Sequence, residues 1–151
     1  MNGTTDPIRT AHRMAYGAGL ALCLGTPSLI TVLLLSGVVP AGIQSPEGIY
    51  LDVGFLFTGL VFLSAAWVWW RSVHTLRTFK DLPETQRPAT ILRESLIYAV
   101  VFESSSLCGL VYWILVGNLG YRHVWGFILM TPLLFLVLVP RYTQWVKALE
   151  L

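Results

Sequence analysis

The run Phe102-Glu103-Ser104-Ser105-Ser106-Leu107-Cys108-Gly109-Leu110-Val111 holds the one acid of this chain that stands well inside an apolar segment. A carboxyl in such a place is costly, and it faces protein or water rather than lipid unless it carries a proton. Burial in low dielectric favours the neutral acid. A carboxyl that gains and loses a proton there is raw material for a proton- or cation-binding site. The competing reading is structural: a protonated Glu103 donates a hydrogen bond to a neighbouring helix. Helical spacing puts Ala99, Ser106, Leu107 and Leu110 on its side. Ser106 is the candidate second ligand, and the small Ala99 and Ser106 leave room for another helix to close over the carboxyl. Each of Ser104, Ser105 and Ser106 can bond back to the carbonyl four residues earlier.

No other constellation suggests chemistry. His12, His74 and His123 lie on different segments and at different depths, so no metal or haem site is expected. Cys23 and Cys108 read as small apolar groups at helix contacts, not as a disulfide or ligand pair. Walker, Rossmann, GxSxG and HExxH patterns do not occur. No catalytic residue, cofactor or nucleic-acid partner is expected. A lipid-modifying enzyme would need a second polar group at the depth of Glu103, and Thr58 and Ser64 are the hydroxyls available for it.

The elements that must carry Glu103 are long and apolar. The chain has 151 residues, 55% hydrophobic and 12% charged. Soluble domains carry about 25% charged residues. Crossing a hydrocarbon core takes about 20 apolar residues. Four runs meet that length, at about 14–39, 50–70, 91–117 and 123–139, and together they use nearly the whole chain as one domain. The expected fold is all-α: a four-helix transmembrane bundle with short loops and an interfacial C-terminal segment. Arg93 marks the edge of the third run. Ten residues at 1.5 Å each put Glu103 roughly 15 Å deeper, near mid-membrane.

The first run is too long for a signal peptide's apolar core, which spans about 7–15 residues. Gly17, Gly19 and Gly25 are expected to let helices approach closely there. Pro27 and Pro132 each remove a backbone donor near the middle of a run, which predicts a packed kink or a hinge at each. Trp67, Trp69 and Trp70 before Arg71 read as an interfacial aromatic belt. Arg71, His74, Arg77 and Lys80 continue the second helix as a basic stripe that Pro83 ends, facing the membrane surface. Thr90 reads as the next N-cap. The tail from Arg141 interleaves aromatic and basic residues, as a helix lying on headgroups does. Basic residues flank one side of the four runs, and Arg122 alone occupies the other. Both termini are therefore expected to be cytoplasmic, in a bacterial-type inner membrane. The lipid bilayer and other membrane subunits, or further copies of the chain, are the expected partners.

Gln86-Arg87-Pro88, followed by Glu103 and then Gly109-Leu110-Val111, resembles the proteolipid c subunit of rotary ATP synthases over about residues 86–116. That family has a loop carrying Arg-Gln-Pro and a helix with Glu-x5-Gly-Leu-Val. Here the first two loop residues stand in reverse order, and the preceding run has only Gly54 and Gly59 where the family has alternating glycines. The resemblance implies the ion-binding role for Glu103 on a hairpin of the second and third runs. The chain also resembles small four-helix bacterial membrane proteins with a central glutamate, a likeness that implies no activity. Two functions are thus expected as alternatives. One is a non-catalytic structural or accessory subunit of a membrane assembly. The other is a proton- or cation-translocating subunit.

Overall fold

The structure, a computed structural model, describes residues 5–42 and 47–150. The expected loop at residues 40–49 therefore lies partly outside the described residues. The described residues are mostly helical: α1 (Thr5–Leu35), α2 (Glu47–Thr78), α3 (Arg87–Val116), α4 (Tyr121–Leu138) and α5 (Tyr142–Glu150), with 3-10 turns at Phe79–Asp81 and Gly117–Gly120. No strand occurs among the described residues. The all-α expectation holds.

The number of long apolar helices differs from the expected four. Among the described residues, three helical stretches are long and apolar enough to cross a membrane: Pro7–Leu35, Leu51–Asp81 and Arg87–Glu150. The third and fourth expected runs share the last stretch, because the Gly117–Gly120 turn between them is itself helical. There the chain doubles back from α3 into α4. Gly117 makes this reversal at φ +68°, and a β-carbon on it would strike the Gly42 carbonyl. Glycine is required there on both counts.

The outer surface is inverted relative to a soluble protein. Leu35, Phe55, Phe62, Leu63 and Val137 are each at least 70% exposed. The interior holds much of the polarity: Glu94, Glu103, Ser95, Ser105, Ser106 and Thr131 are buried. The central element is α3, which packs against α1, α2 and α4, whereas α2 packs chiefly on α3.

Boundaries differ where local chemistry decided them. α1 begins at Thr5, so the polar leader is largely helical. α3 begins at Arg87 with Pro88 in its first turn and Gln86 as N-cap. Proline suits a first helical turn because its missing N–H would be unpaired there anyway. Thr90 is therefore inside the helix, and its hydroxyl donates back to the Gln86 carbonyl at 3.0 Å. α2 runs to Thr78 and its 3-10 extension stops before Pro83. The C-terminal segment differs from an element lying only on headgroups. Trp145 and Ala148 of α5 are buried with Ile8, Ala15, Phe79 and Ile91, and the Trp145 and Phe79 rings meet edge to face at 4.8 Å. His12 Nε2 lies 3.3 Å from the Pro140 carbonyl oxygen, tying the tail to α1. The apolar side of α5 is taken by protein because the first turns of α1 and α3 leave an apolar floor beneath it.

Candidate functional site

Glu103 faces α1. The Cys23 and Thr26 side chains of α1 are its neighbours. The residue is 8% exposed, and neither carboxyl oxygen meets hydrogen-bond geometry with any described residue. Thr26 precedes Pro27, which lies inside α1. Having no N–H, Pro27 leaves the Cys23 carbonyl without its usual intrahelical donor. The flanking Ser28 hydroxyl donates at 2.6 Å to the Leu24 carbonyl, one residue further on. The site thus sets a carboxyl and a hydroxyl side by side between two packed helices. Oxygen ligands of this kind suit a proton or a hard cation.

Ser106 is elsewhere. With Ser105 it forms a hydroxyl seam between α3 and α4. Ser105 Oγ donates to the Phe127 carbonyl at 2.7 Å. Ser106 Oγ lies 2.6 Å from Thr131 Oγ1, and the Ser106 N–H donates to the same threonine oxygen at 3.1 Å. Thr131 Oγ1 in turn donates to the Phe102 carbonyl at 3.1 Å. One hydroxyl thus uses its hydrogen and both lone pairs, touching both members of a single helical rung, Phe102 C=O and Ser106 N–H. The serines bond across to α4 rather than back along α3. Thr131, next to Pro132, is the buried partner that sequence reasoning missed. Its signal was the Thr-Pro pair opposite three consecutive serines.

The basic stripe is also divided. Arg71 is not a free surface cation: its Nε and Nη2 donate to the two Glu94 oxygens at 2.7 and 2.9 Å. Arg93 Nη2 adds a third bond at 3.1 Å, and the Arg71 guanidinium lies 5.2 Å over the Trp67 ring. Arg77 and Lys80 are exposed. The remaining tryptophans of the belt, Trp69 and Trp70, are outward-facing at 60% and 63% exposure.

The glycines separate as well. A β-carbon at Gly19 would come within 2.6 Å of the Phe135 ring, whereas one at Gly17 or Gly25 would meet nothing within 4 Å. Of these three glycines, Gly19 alone serves close packing inside the chain. Gly109, where a β-carbon would come within 3.1 Å of Ile128 Cγ1 and the Val124 carbonyl, does the same between α3 and α4. Cys23 and Cys108 are buried free thiols. Thr58 and Ser64 spend their hydroxyls on the Gly54 and Leu60 carbonyls of their own helix. Ser64 also approaches Ser104, on the α2 side of α3, away from Glu103. Searches against protein-family models, curated proteins and solved structures give no match for the chain.

Proposed function

We propose that the protein is a multi-pass integral membrane protein of four spans, α1 to α4, that acts as a non-catalytic structural or accessory subunit of a membrane assembly. Both termini lie on the cytoplasmic side of a bacterial-type inner membrane. The ends of the bundle support this orientation. Arg9, Arg13, Arg77, Lys80, Arg93, Arg141 and Lys147 sit at the end that holds both termini, and Arg122 stands alone at the other. The observation that carries the subunit reading is the outward side of α1. Gly17, Ala21 and Gly25 recur there every four residues, all exposed, with open space above the two glycines. Such spacing lets a second helix approach closely in lipid. Cysteine substitution along α1, in a Cys23→Ala, Cys108→Ala background, tests it. Crosslinks recurring at 17, 21 and 25 are expected in native membranes. Uniform absence of crosslinks, with only monomer in native mass spectrometry, would remove the reading.

A second reading is favoured by a separate observation, the unpaired Glu103 carboxyl beside the Pro27 turn. On this reading Glu103 binds a proton or cation in a translocating subunit, with Thr26 as its companion. The resemblance to the proteolipid c subunit assigns Glu103 the same role, although there the carboxyl belongs to the hairpin of the second and third helices. A hydrophobic carbodiimide that attacks protonated carboxyls is expected to modify Glu103. An unreactive Glu103, or proton flux unchanged in Glu103→Gln, would rule the role out.

A further inference from the structure

At the end of the bundle away from the termini, α2 and α4 diverge around a cleft of about 310 Å³. Its walls are Val61, Phe62 and Ala65 from α2, and Phe127, Met130 and Leu134 from α4. Thr58 also borders it, but its hydroxyl is spent on the Gly54 carbonyl at 2.7 Å. Gly126 lies in the cleft, and a β-carbon there would meet nothing within 4 Å. Arg122 and His123 form the mouth. Arg122 is exposed and makes no ion pair among the described residues.

We infer that this cleft binds an anionic phospholipid, with one acyl chain between α2 and α4 and the phosphate on Arg122. Shape excludes a helix as occupant. A helix with its side chains is about 10–12 Å across and rises 5.4 Å per turn, so one turn fills roughly 500 Å³, more than the cleft's volume of about 310 Å³, which favours part of a single hydrocarbon chain. The walls match a chain, since they offer no unsatisfied polar side chain, and flexible Met130 adapts to an irregular occupant. Charge selects the headgroup. Arg122 is the one lysine or arginine at this end, and it borders the cleft between α2 and α4. Guanidinium binds phosphate oxygens through two parallel N–H donors. The site is separate from Glu103 and from the exposed stripe of α1. It rests on the membrane reading above, which resistance of the protein to extraction by alkaline carbonate tests on its own.

The test uses the full chain in vesicles of mixed phosphatidylglycerol and phosphatidylcholine, with a photoreactive diazirine on the acyl chain of one lipid at a time. Crosslinks to the phosphatidylglycerol probe are expected to concentrate on Phe62, Met130 and Leu134, severalfold above those to the phosphatidylcholine probe. Arg122→Gln is expected to bring the two probes level without changing the circular dichroism spectrum. Gly126→Leu, whose side chain enters empty space, is expected to suppress crosslinking in the cleft by either probe while Arg122 remains. Equal labelling by both probes in the wild type, or labelling spread evenly over the outer faces of all helices, would overturn the inference. A preference that survives Arg122→Gln would overturn the assignment of the headgroup to Arg122.

Discussion

Glu94 and Glu103 are both buried carboxyls on α3, yet their surroundings are opposite. Nine residues at about 100° each turn one to the far side of the helix from the other. Glu94 looks toward α2 and meets Arg71 in a two-bonded pair, with Arg93 as a third donor. Glu103 looks toward α1, whose lysines and arginines are confined to Arg9 and Arg13 near its start, and its oxygens stay unpaired. Burial by itself therefore does not define what a carboxylate does in this bundle. The partner supplied by the opposing helix does. A paired Glu94 fastens α2 to the core. Glu103 has no such partner among the described residues, and the proposed binding role rests on that contrast.

The contrast can be broken first at Glu94. Arg71→Ala leaves a buried carboxylate with only Arg93, and removing one partner of a buried pair costs about 3–5 kcal/mol. Arg71 is itself 33% exposed, so a loss of about 2–3 kcal/mol is expected in unfolding by denaturing detergent. A loss below about 1 kcal/mol would make Glu94 as dispensable as a surface acid. Next in size is Gly19→Leu, which drives a side chain into Phe135. Overpacking costs about 1–3 kcal/mol, and by parting α1 from α3 it is expected to speed carbodiimide attack on Glu103. Gly17→Leu, in open space, is expected to do neither in the isolated protein. Thr131→Val removes the hydroxyl that holds Ser106 and the Phe102 carbonyl, with an expected loss of about 1 kcal/mol. The smallest effect is expected at Glu103 itself. Glu103→Gln has no hydrogen bond to break and is expected to change stability by less than about 0.5 kcal/mol. A larger loss would show that Glu103 is a structural partner after all, and the contrast with Glu94 would collapse.

The helices were legible in the sequence because apolar runs of membrane length leave the backbone few other solutions. Their ends were less so. Thr90 has the right side chain for a cap, but Pro88 suits a first turn better, and α3 starts at Arg87. Glu103 was legible as an anomaly, since a charge-bearing residue in an apolar run needs no fold to be noticed. Its partners were not. Ser106, on the same side of α3 by helical spacing, turned out to serve α4, while Thr26 on α1 is the hydroxyl beside the carboxyl. Spacing along one helix gives the direction of a side chain, and the identity of the helix it meets depends on packing between segments far apart in the chain.

The same division holds for the whole molecule. Composition and run length by themselves determined an all-helical chain with stretches long and apolar enough to cross a membrane, and they singled out Glu103. Tertiary structure alone decided that α3 is central, that Arg71 is spent on Glu94, that Gly19 is covered while Gly17 and Gly25 stay open, and that α5 buries Trp145 against protein. The physical reason is range. Hydrophobicity and backbone hydrogen bonding act on neighbouring residues and can be read locally. Which buried polar group finds a partner is settled by the helices brought beside it, and α3 carries both outcomes, a satisfied Glu94 and an unsatisfied Glu103.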